Sequence, residues 1–316
     1  MASSKSVVIA ALFANGAIAV LKFVGYLLTL SPAMLSETYH SISDTGNQIF
    51  LLIGIRYGAQ EADRTHPFGY GKAQFFYSFL VSVMLFGIAG WESAKHGYDA
   101  LVHGAGHVAS GSTPVLPIVG VVDAVYVNYA VLVGAILFET YAFKKAYEGI
   151  TRQMDEHGWE TFREAFAKTS DVTTLTALTE DTIALAGAGI ALFGVYLSRV
   201  TGNGVYDATS ALLIGVMLMG FAVALAWENK RLLLGESLPA ADERALRRIV
   251  AGADGVREVV DFRTVYFGPE ELLVTTDVAF DPALDAAEID RRVTAIEREL
   301  ATRDEQVRRV YVEPET

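Results

Sequence analysis

With 316 residues, 52% of them hydrophobic, and a positive mean hydropathy, the chain is too apolar for one soluble domain of its length. Cysteine is absent, which excludes disulfides and thiolate metal sites and leaves any metal to His, Asp, Glu or neutral oxygens. A net charge of −12 offers no basic surface to nucleic acid.

The uncharged runs predict a multi-pass membrane protein with six spans. Residues 7–30 form the first, long enough at 1.5 Å per residue to cross roughly 30 Å of hydrocarbon. No small-residue cleavage site accompanies it, so it is read as a span and not as a removable signal. Ser31-Pro32 interrupts the run, and Pro32 suits the first turn of a second span at 33–57. The loop 58–72 contains Pro and Gly residues that forbid a continuous helix. A third span follows at 75–96, a glycine-rich polar loop at 103–113 and a fourth span at 116–143. The segment 144–168 is too charged for the bilayer and reads as an interfacial or cytosolic helix. The fifth span is 174–198, Gly202-Asn203-Gly204 is a tight turn, and the sixth span is 206–227.

Six spans put both ends of the chain on one side. Loops on that side carry Arg56, Arg64, Lys72, Lys144, Lys145, Arg152, Arg163 and Lys168, against Lys95 and Arg199 opposite. The positive-inside rule then predicts a cell (inner) membrane protein with cytoplasmic termini. From Glu236 onward 19 acidic residues face 11 basic ones, a solvated composition. Here a helix at 241–251 precedes alternating strands at 259–267 and 272–280, joined by Gly268-Pro269-Glu270-Glu271. A helix at 285–302 and a strand at 307–312 complete an αββαβ order. The expected division is a six-helix membrane domain over 1–235 and a cytosolic α+β domain over 236–316. A sheet this small leaves one face to cover, which favours self-association.

Two spans break the apolar pattern. In the second, Ser36-Glu37-Thr38-Tyr39-His40-Ser41-Ile42-Ser43-Asp44 places His40 and Asp44 at helical spacing, with Ser36 and Gln48 extending their face. An ionisable group in hydrocarbon costs roughly 2.5–3.5 kcal/mol on insertion scales, so such residues are functional candidates by default. In the fifth, Thr179-Glu180-Asp181-Thr182 sets two carboxylates about 100° apart on one helix. Asp181 shares a stripe with Ala177, Ala184 and Ala188, and Glu180 one with Thr173, Thr176 and Gly187, small or hydroxylic residues that admit a close neighbour or a wet path. The bland alternative is a structural salt bridge, but no lysine or arginine is expected in any of the six spans to supply it.

One imidazole with the carboxylates of Asp44, Glu180 and Asp181 suits Zn²⁺, and Mn²⁺ or Fe²⁺ would also accept the set. Such ligands bind metal only when deprotonated, so metal and proton exchange on the same groups, and a metal flux can be coupled to protons. Either Glu180 or Asp181 can be the direct ligand. Glu139 lies in the cytosolic third of the fourth span as a candidate relay or accessory ligand, whereas Asp123 and Glu92 sit near outer ends and read as solvated. His66 with Asp63 is too small a set for a full metal shell, and His96, His103 and His107 fall on the opposite side. The GYGK run lacks phosphate-loop spacing. No H-E-x-x-H pair or separate general base argues for a hydrolase, so no enzyme and no cofactor is expected. A membrane receptor or scaffold without transport is the competing class.

The run SPAMLSETYHSISDTGNQ, then HPFGYGKAQFF, TEDTIALAG and Tyr206-Asp207, resembles the cation diffusion facilitator family of divalent-metal transporters over nearly the whole chain. The resemblance implies six membrane helices, a cytosolic metallochaperone-like (ferredoxin-like) αββαβ domain and homodimers. It also implies export of Zn²⁺ or a related ion from the cytosol by proton antiport, with ligands from the second and fifth helices: His40, Asp44, Glu180 and Asp181. The family's fifth-helix pattern has His or Asp where this chain has Ala177. The adjacent Glu180 is similar to the subgroup that includes a mitochondrial zinc exporter. The tail lacks histidine and cysteine, so dimerisation without zinc is expected.

Overall fold

Helix breakers fall where the sequence puts them, and the runs between them form continuous helices. The computed structural model describes residues 4–103, 115–116, 120–121, 124–169 and 172–315. Helix α1 (Ser4–Thr29) ends at Leu30, whose left-handed φ of 54° turns the chain into α2 (Pro32–Gly58). The α2 start is pinned from a distance. Asp207 Oδ1 accepts hydrogen bonds from Ser31 Oγ at 3.0 Å and from the Ala33 amide at 3.1 Å, satisfying an otherwise orphan helix-end donor.

The third span is longer than its apolar run. Helix α3 (Lys72–Met84), a π-turn at Leu85–Gly90 and α4 (Trp91–His103) form one continuous 32-residue helix. The two-residue strands β1 (Val115–Leu116) and β2 (Gly120–Val121) pair antiparallel, so the fourth helix, α5 (Ala124–His157), begins after Leu116. It also runs straight through the charged segment, since the helix absorbs Gly149 and no proline intervenes before Gly158. There φ is 66°, and the Trp159 amide reaches back to the Met154 carbonyl at 2.9 Å. The expected separate helix is thus partly an extension of α5, followed by the short α6 (Phe162–Lys168). Helices α7 (Val172–Thr201) and α8 (Val205–Leu234) flank the Gly202 turn, where Asn203 Oδ1 accepts from the Val205 amide at 3.0 Å.

Among the described residues six helices, counting α3 through α4 as one, are therefore long enough to span. Lys72–His103, Val125–His157, Ala177–Thr201 and Val205–Leu234 are also apolar enough by composition, while α1 contributes the apolar run Asn15–Thr29. Helix α2, at 27 residues, has the length but not the hydropathy, because its buried side chains include Ser36, Glu37, His40, Asp44, Asn47 and Gln48. The chain divides into two compact units. The first comprises residues up to Ile55, Tyr77–Ala165 and Thr173–Trp227. Its core is Met34, Leu85, Leu132, Ile183, Ile214 and Leu218, and Leu137, Phe193, Leu213 and Val223 point outward. Helices α4 and α8 meet backbone to backbone. A Cβ on Gly97 would overlap the Leu212 backbone, and one on Gly215 would overlap that of Ala94.

The second unit joins Glu228–Thr316 with Arg56–Phe76 and Phe166–Val172, and so extends beyond the sequence boundary at 236. Its helices and strands follow the expected αββαβ order. Helix α9 (Ala240–Gly252) precedes β3 (Val256–Gly268) and β4 (Glu271–Phe280), and α10 (Ala286–Arg303) precedes β5 (Val307–Glu315). The sheet order is β3-β4-β5, antiparallel then parallel, so β4 is central and buries Leu272, Val274 and Val278 completely. A capping box starts α10, with the Glu288 amide donating to Asp285 Oδ1 at 2.8 Å and Glu288 answering to the Asp285 amide at 3.0 Å. The loop of residues 58–72 packs on this sheet. A Cβ on Gly71 would lie 2.6 Å from the Phe267 carbonyl oxygen, and the Arg309 guanidinium covers the Phe68 and Phe267 rings at 5.4 and 5.9 Å.

Candidate functional site

The polar stripe of α2 turns inward throughout. Ser36, His40, Asp44 and Gln48, one turn apart in succession, are all buried, as their spacing predicts for one helix face. His40 Nδ1 lies 3.4 Å from Asp44 Oδ1, too long and too poorly directed to count as a hydrogen bond. Both His40 ring nitrogens and Asp44 Oδ1 lack a hydrogen-bond partner among the described residues, as do the hydroxyls of Ser36, Ser41 and Ser43. Buried polar groups left this way cost roughly 1–3 kcal/mol each, a cost that a coordinating or hydrogen-bonding group at this stripe would recover.

On α7, Glu180 is buried and Asp181 is half-buried, while Ala184 and Ala188 on the Asp181 stripe are buried, consistent with close helix packing. The two helices are joined by Asn47, whose Nδ2 donates to Glu180 Oε1 at 2.6 Å. Asp44 lies within electrostatic reach of Glu180, Glu139, Lys22 and Asp181, so the predicted residues of α2, α5 and α7 share one region of the first unit. Glu139 itself is buried. The four predicted ligands do not close into one shell in this arrangement. Among the described residues no three His, Asp or Glu side chains stand together closely enough to hold a metal ion.

The expectation that no lysine or arginine lies in the six spans to pair with the acids is corrected here. Lys22, in α1, donates from Nζ to Glu37 Oε2 at 2.8 Å, and both side chains have 0% exposure. Lys22 was visible in the sequence as a lone charge inside the first apolar run, and Glu37 as one more acid of the second. What the sequence hid was that two helices bring them together. Asn47, three residues beyond Asp44, carries no charge to single it out in the sequence, and its role as the α2–α7 link is visible only in the packing.

Other candidates fall elsewhere. Asp63 is a turn-former: its Oδ1 accepts from the amides of Thr65 and His66 at 2.8 and 2.7 Å and from the Thr65 hydroxyl at 2.7 Å. Its Oδ2 accepts from the Tyr70 hydroxyl at 2.8 Å. The hydroxyls of Thr65 and Tyr70 hold this carboxyl well below the usual carboxylate range. His66 Nδ1 is 3.8 Å from Asp63 and exposed, which fits a solvated turn. Glu92 is half-buried at the start of α4 and His103 is exposed at its end, while Asp123 and His107 lie outside the described residues.

Comparison with known proteins bears on this geometry. The mitochondrial proton-coupled zinc antiporter SLC30A9 of Mus musculus is 29% identical over 275 residues, 87% of this chain and 46% of that protein. The cation-efflux pump FieF of Cronobacter sakazakii is 26% identical over 80% of this chain and 74% of its own length. The chain thus spans about half the length of the SLC30A9 relatives it matches. Among solved structures, the MamM CTD in a nickel form matches 23% of this chain and 96% of its own, at 17% identity and a TM-score of 0.21. The model of the cation efflux transmembrane domain matches residues 8–234, from α1 to the end of α8 and so across every residue of the α2–α7 site; the chain belongs to the cation diffusion facilitator family of cation efflux transporters.

Proposed function

We propose that this transporter exports a divalent cation, Zn²⁺ first, from the cytosol in exchange for protons by alternating access. The observation that carries the reading is the buried α2 face, where both nitrogens of His40 and an oxygen of Asp44 stand without partners, bridged through Asn47 to Glu180 of α7. His40, Asp44, Glu180 and Asp181 are the proposed ligands of the transported ion, and Glu139 the proposed relay. An imidazole among carboxylates fits zinc, and the similarity to the proton-coupled zinc antiporter SLC30A9 supports both the ion and the proton coupling. The three carboxylates favour a harder ion more than zinc requires, so Mn²⁺ or Fe²⁺ is the second reading. The separated α2 and α7 ligands fit a rocking mechanism in which the shell closes in one access state and opens in the other. Loop charges support cytoplasmic termini in a cell membrane, and the small three-stranded sheet supports a homodimer.

Purified protein in proteoliposomes with a metal-sensitive dye tests this. An imposed proton gradient should drive zinc uptake against its own gradient, and Asp44→Ala should abolish it. Undiminished zinc flux in Asp44→Ala would remove the site assignment, and flux indifferent to the proton gradient would remove the antiport.

A further inference from the structure

Beside the proposed transport residues lies one ion pair that the proposed cycle does not use. Lys22 of α1 and Glu37 of α2 are both fully buried and joined at 2.8 Å. Burying two charges in such a place costs several kcal/mol per ion before their attraction repays it, and apolar residues of similar size usually serve packing at least as well. The pair therefore calls for a role beyond holding α1 to α2.

Its surroundings supply one. Glu37 stands one turn before His40 on the same helix. Its second oxygen, Oε1, has no hydrogen-bond partner among the described residues and lies where a Cβ on Gly187 of α7 would be 2.6 Å away. This free oxygen is thus set against the helix that carries Glu180 and Asp181. Lys22 in turn is within electrostatic reach of Glu139 and Asp44 as well as Glu37. An ammonium in that position could neutralise the transport carboxylates, and a carboxylate in that position could ligate the cargo. While they hold each other, the Glu37 carboxylate offsets the ammonium's charge toward Asp44, and the ammonium engages one of the two Glu37 oxygens.

We infer that Lys22 and Glu37 are a specificity-setting positioning pair: Glu37 keeps the Lys22 ammonium from taking the cation's place beside Asp44, and Lys22 keeps Glu37 from joining the ligand set as an additional oxygen donor. The inference rests on the transport site proposed above. Removing one partner shifts the site's charge by one unit in a chosen direction, so the two single variants act oppositely and the double variant cancels them. A pair that only fastened two helices would have no such sign.

The test is zinc and manganese flux into proteoliposomes by wild type, Glu37→Gln, Lys22→Met and the double variant, with Asp44→Asn as a control. Glu37→Gln should raise the KM for zinc at least tenfold, because the released ammonium competes with the ion. Lys22→Met should raise the Mn²⁺/Zn²⁺ ratio of kcat/KM at least threefold, since an added carboxylate oxygen favours the harder ion. The double variant should return both values to within threefold of wild type. Single variants that change only the melting temperature, or a double variant that folds but restores neither value, would overturn the inference. If Glu37→Gln fails to accumulate in membranes, the manganese ratio still decides: it must rise in Lys22→Met and fall back in the double variant. Active Asp44→Asn would instead sink the site reading, whereas inactive Asp44→Asn with silent Lys22 and Glu37 variants would sink this inference alone.

Discussion

Asn47→Leu removes the amide that bridges α2 and α7 while nearly preserving volume. Its Nδ2 donates to Glu180 Oε1 at 2.6 Å, with both residues buried, so one carboxylate oxygen is held and the other is left for the ion. A hydrogen bond to a charged group contributes about 1.5–3 kcal/mol net, and no bulk water stands ready to replace the lost donor. At about 1.4 kcal/mol per factor of ten, kcat/KM for zinc should fall roughly 10- to 150-fold. Initial rates across a zinc titration in proteoliposomes measure this, with reconstituted protein quantified so that a folding loss is not mistaken for a transport loss. A value within twofold of wild type would refute the orienting role. A lower KM would refute it more sharply, because it would mean that Asn47 holds Glu180 away from the cation.

Three other outcomes follow from the packing. Any side chain at Gly97 must displace the Leu212 backbone, so Gly97→Leu should destabilise by about 3 kcal/mol, the upper end for overpacking, and lower the melting temperature in detergent. An unchanged melting temperature would contradict the α4–α8 backbone contact. Leu272→Ala empties a fully buried position of the central strand and should cost about 2–5 kcal/mol, read as faster amide exchange along β4 in the full chain. At Asp63 the carboxyl is held below its ordinary range by Thr65 and Tyr70, so the turn's stabilisation is complete above that range and lost only as pH falls through the lowered value. The Thr65 and His66 amides should therefore stay protected at pH 5 as at pH 7, and Asp63→Ala should expose them at both; deprotection of wild type at pH 5 would contradict the sign.

Local periodicity carried most of what could be read in advance. The burial of Ser36, His40, Asp44 and Gln48 follows from a four-residue step on a helix, and the tail's strands follow from alternation that leaves β4 buried in the middle. Composition was equally direct for the apolar spans. Contacts between distant segments were not legible in this way. Nothing in the first apolar run says that Lys22 meets Glu37, a pairing of two helices that reverse at Leu30. Nothing in HPFGYGK says that Gly71 closes on β3, or that Arg309, more than two hundred residues away, will cover Phe68. The π-turn at Leu85–Gly90 has no signature in an all-apolar stretch, and charge alone misplaced the end of α5 because leaving the membrane does not oblige a helix to stop.

The same packing explains why so acidic a cluster of helices can exist in a membrane domain at all. Glu37, Asp44, Glu139 and Glu180 are buried and Asp181 is half-buried. At roughly 2.5–3.5 kcal/mol each, four such acids approach the stability of a whole domain, about 5–15 kcal/mol, so they cannot all stand ionised without compensation. Lys22 answers for Glu37, and the Asn47 amide partly answers for Glu180. Asp44, Glu139 and Asp181 are left, with His40, to whatever positive charge the cycle brings. In the proposed antiport that charge alternates between one divalent ion and protons, and the deficit left by the protein's own cations makes each exchange for the other. A second resident cation in place of Asn47 would cut that deficit by one unit and occupy Glu180 in the cargo's place. Asn47→Lys is accordingly expected to fold and to transport nothing, and zinc flux through it would show that the uncompensated charge is not what drives the exchange.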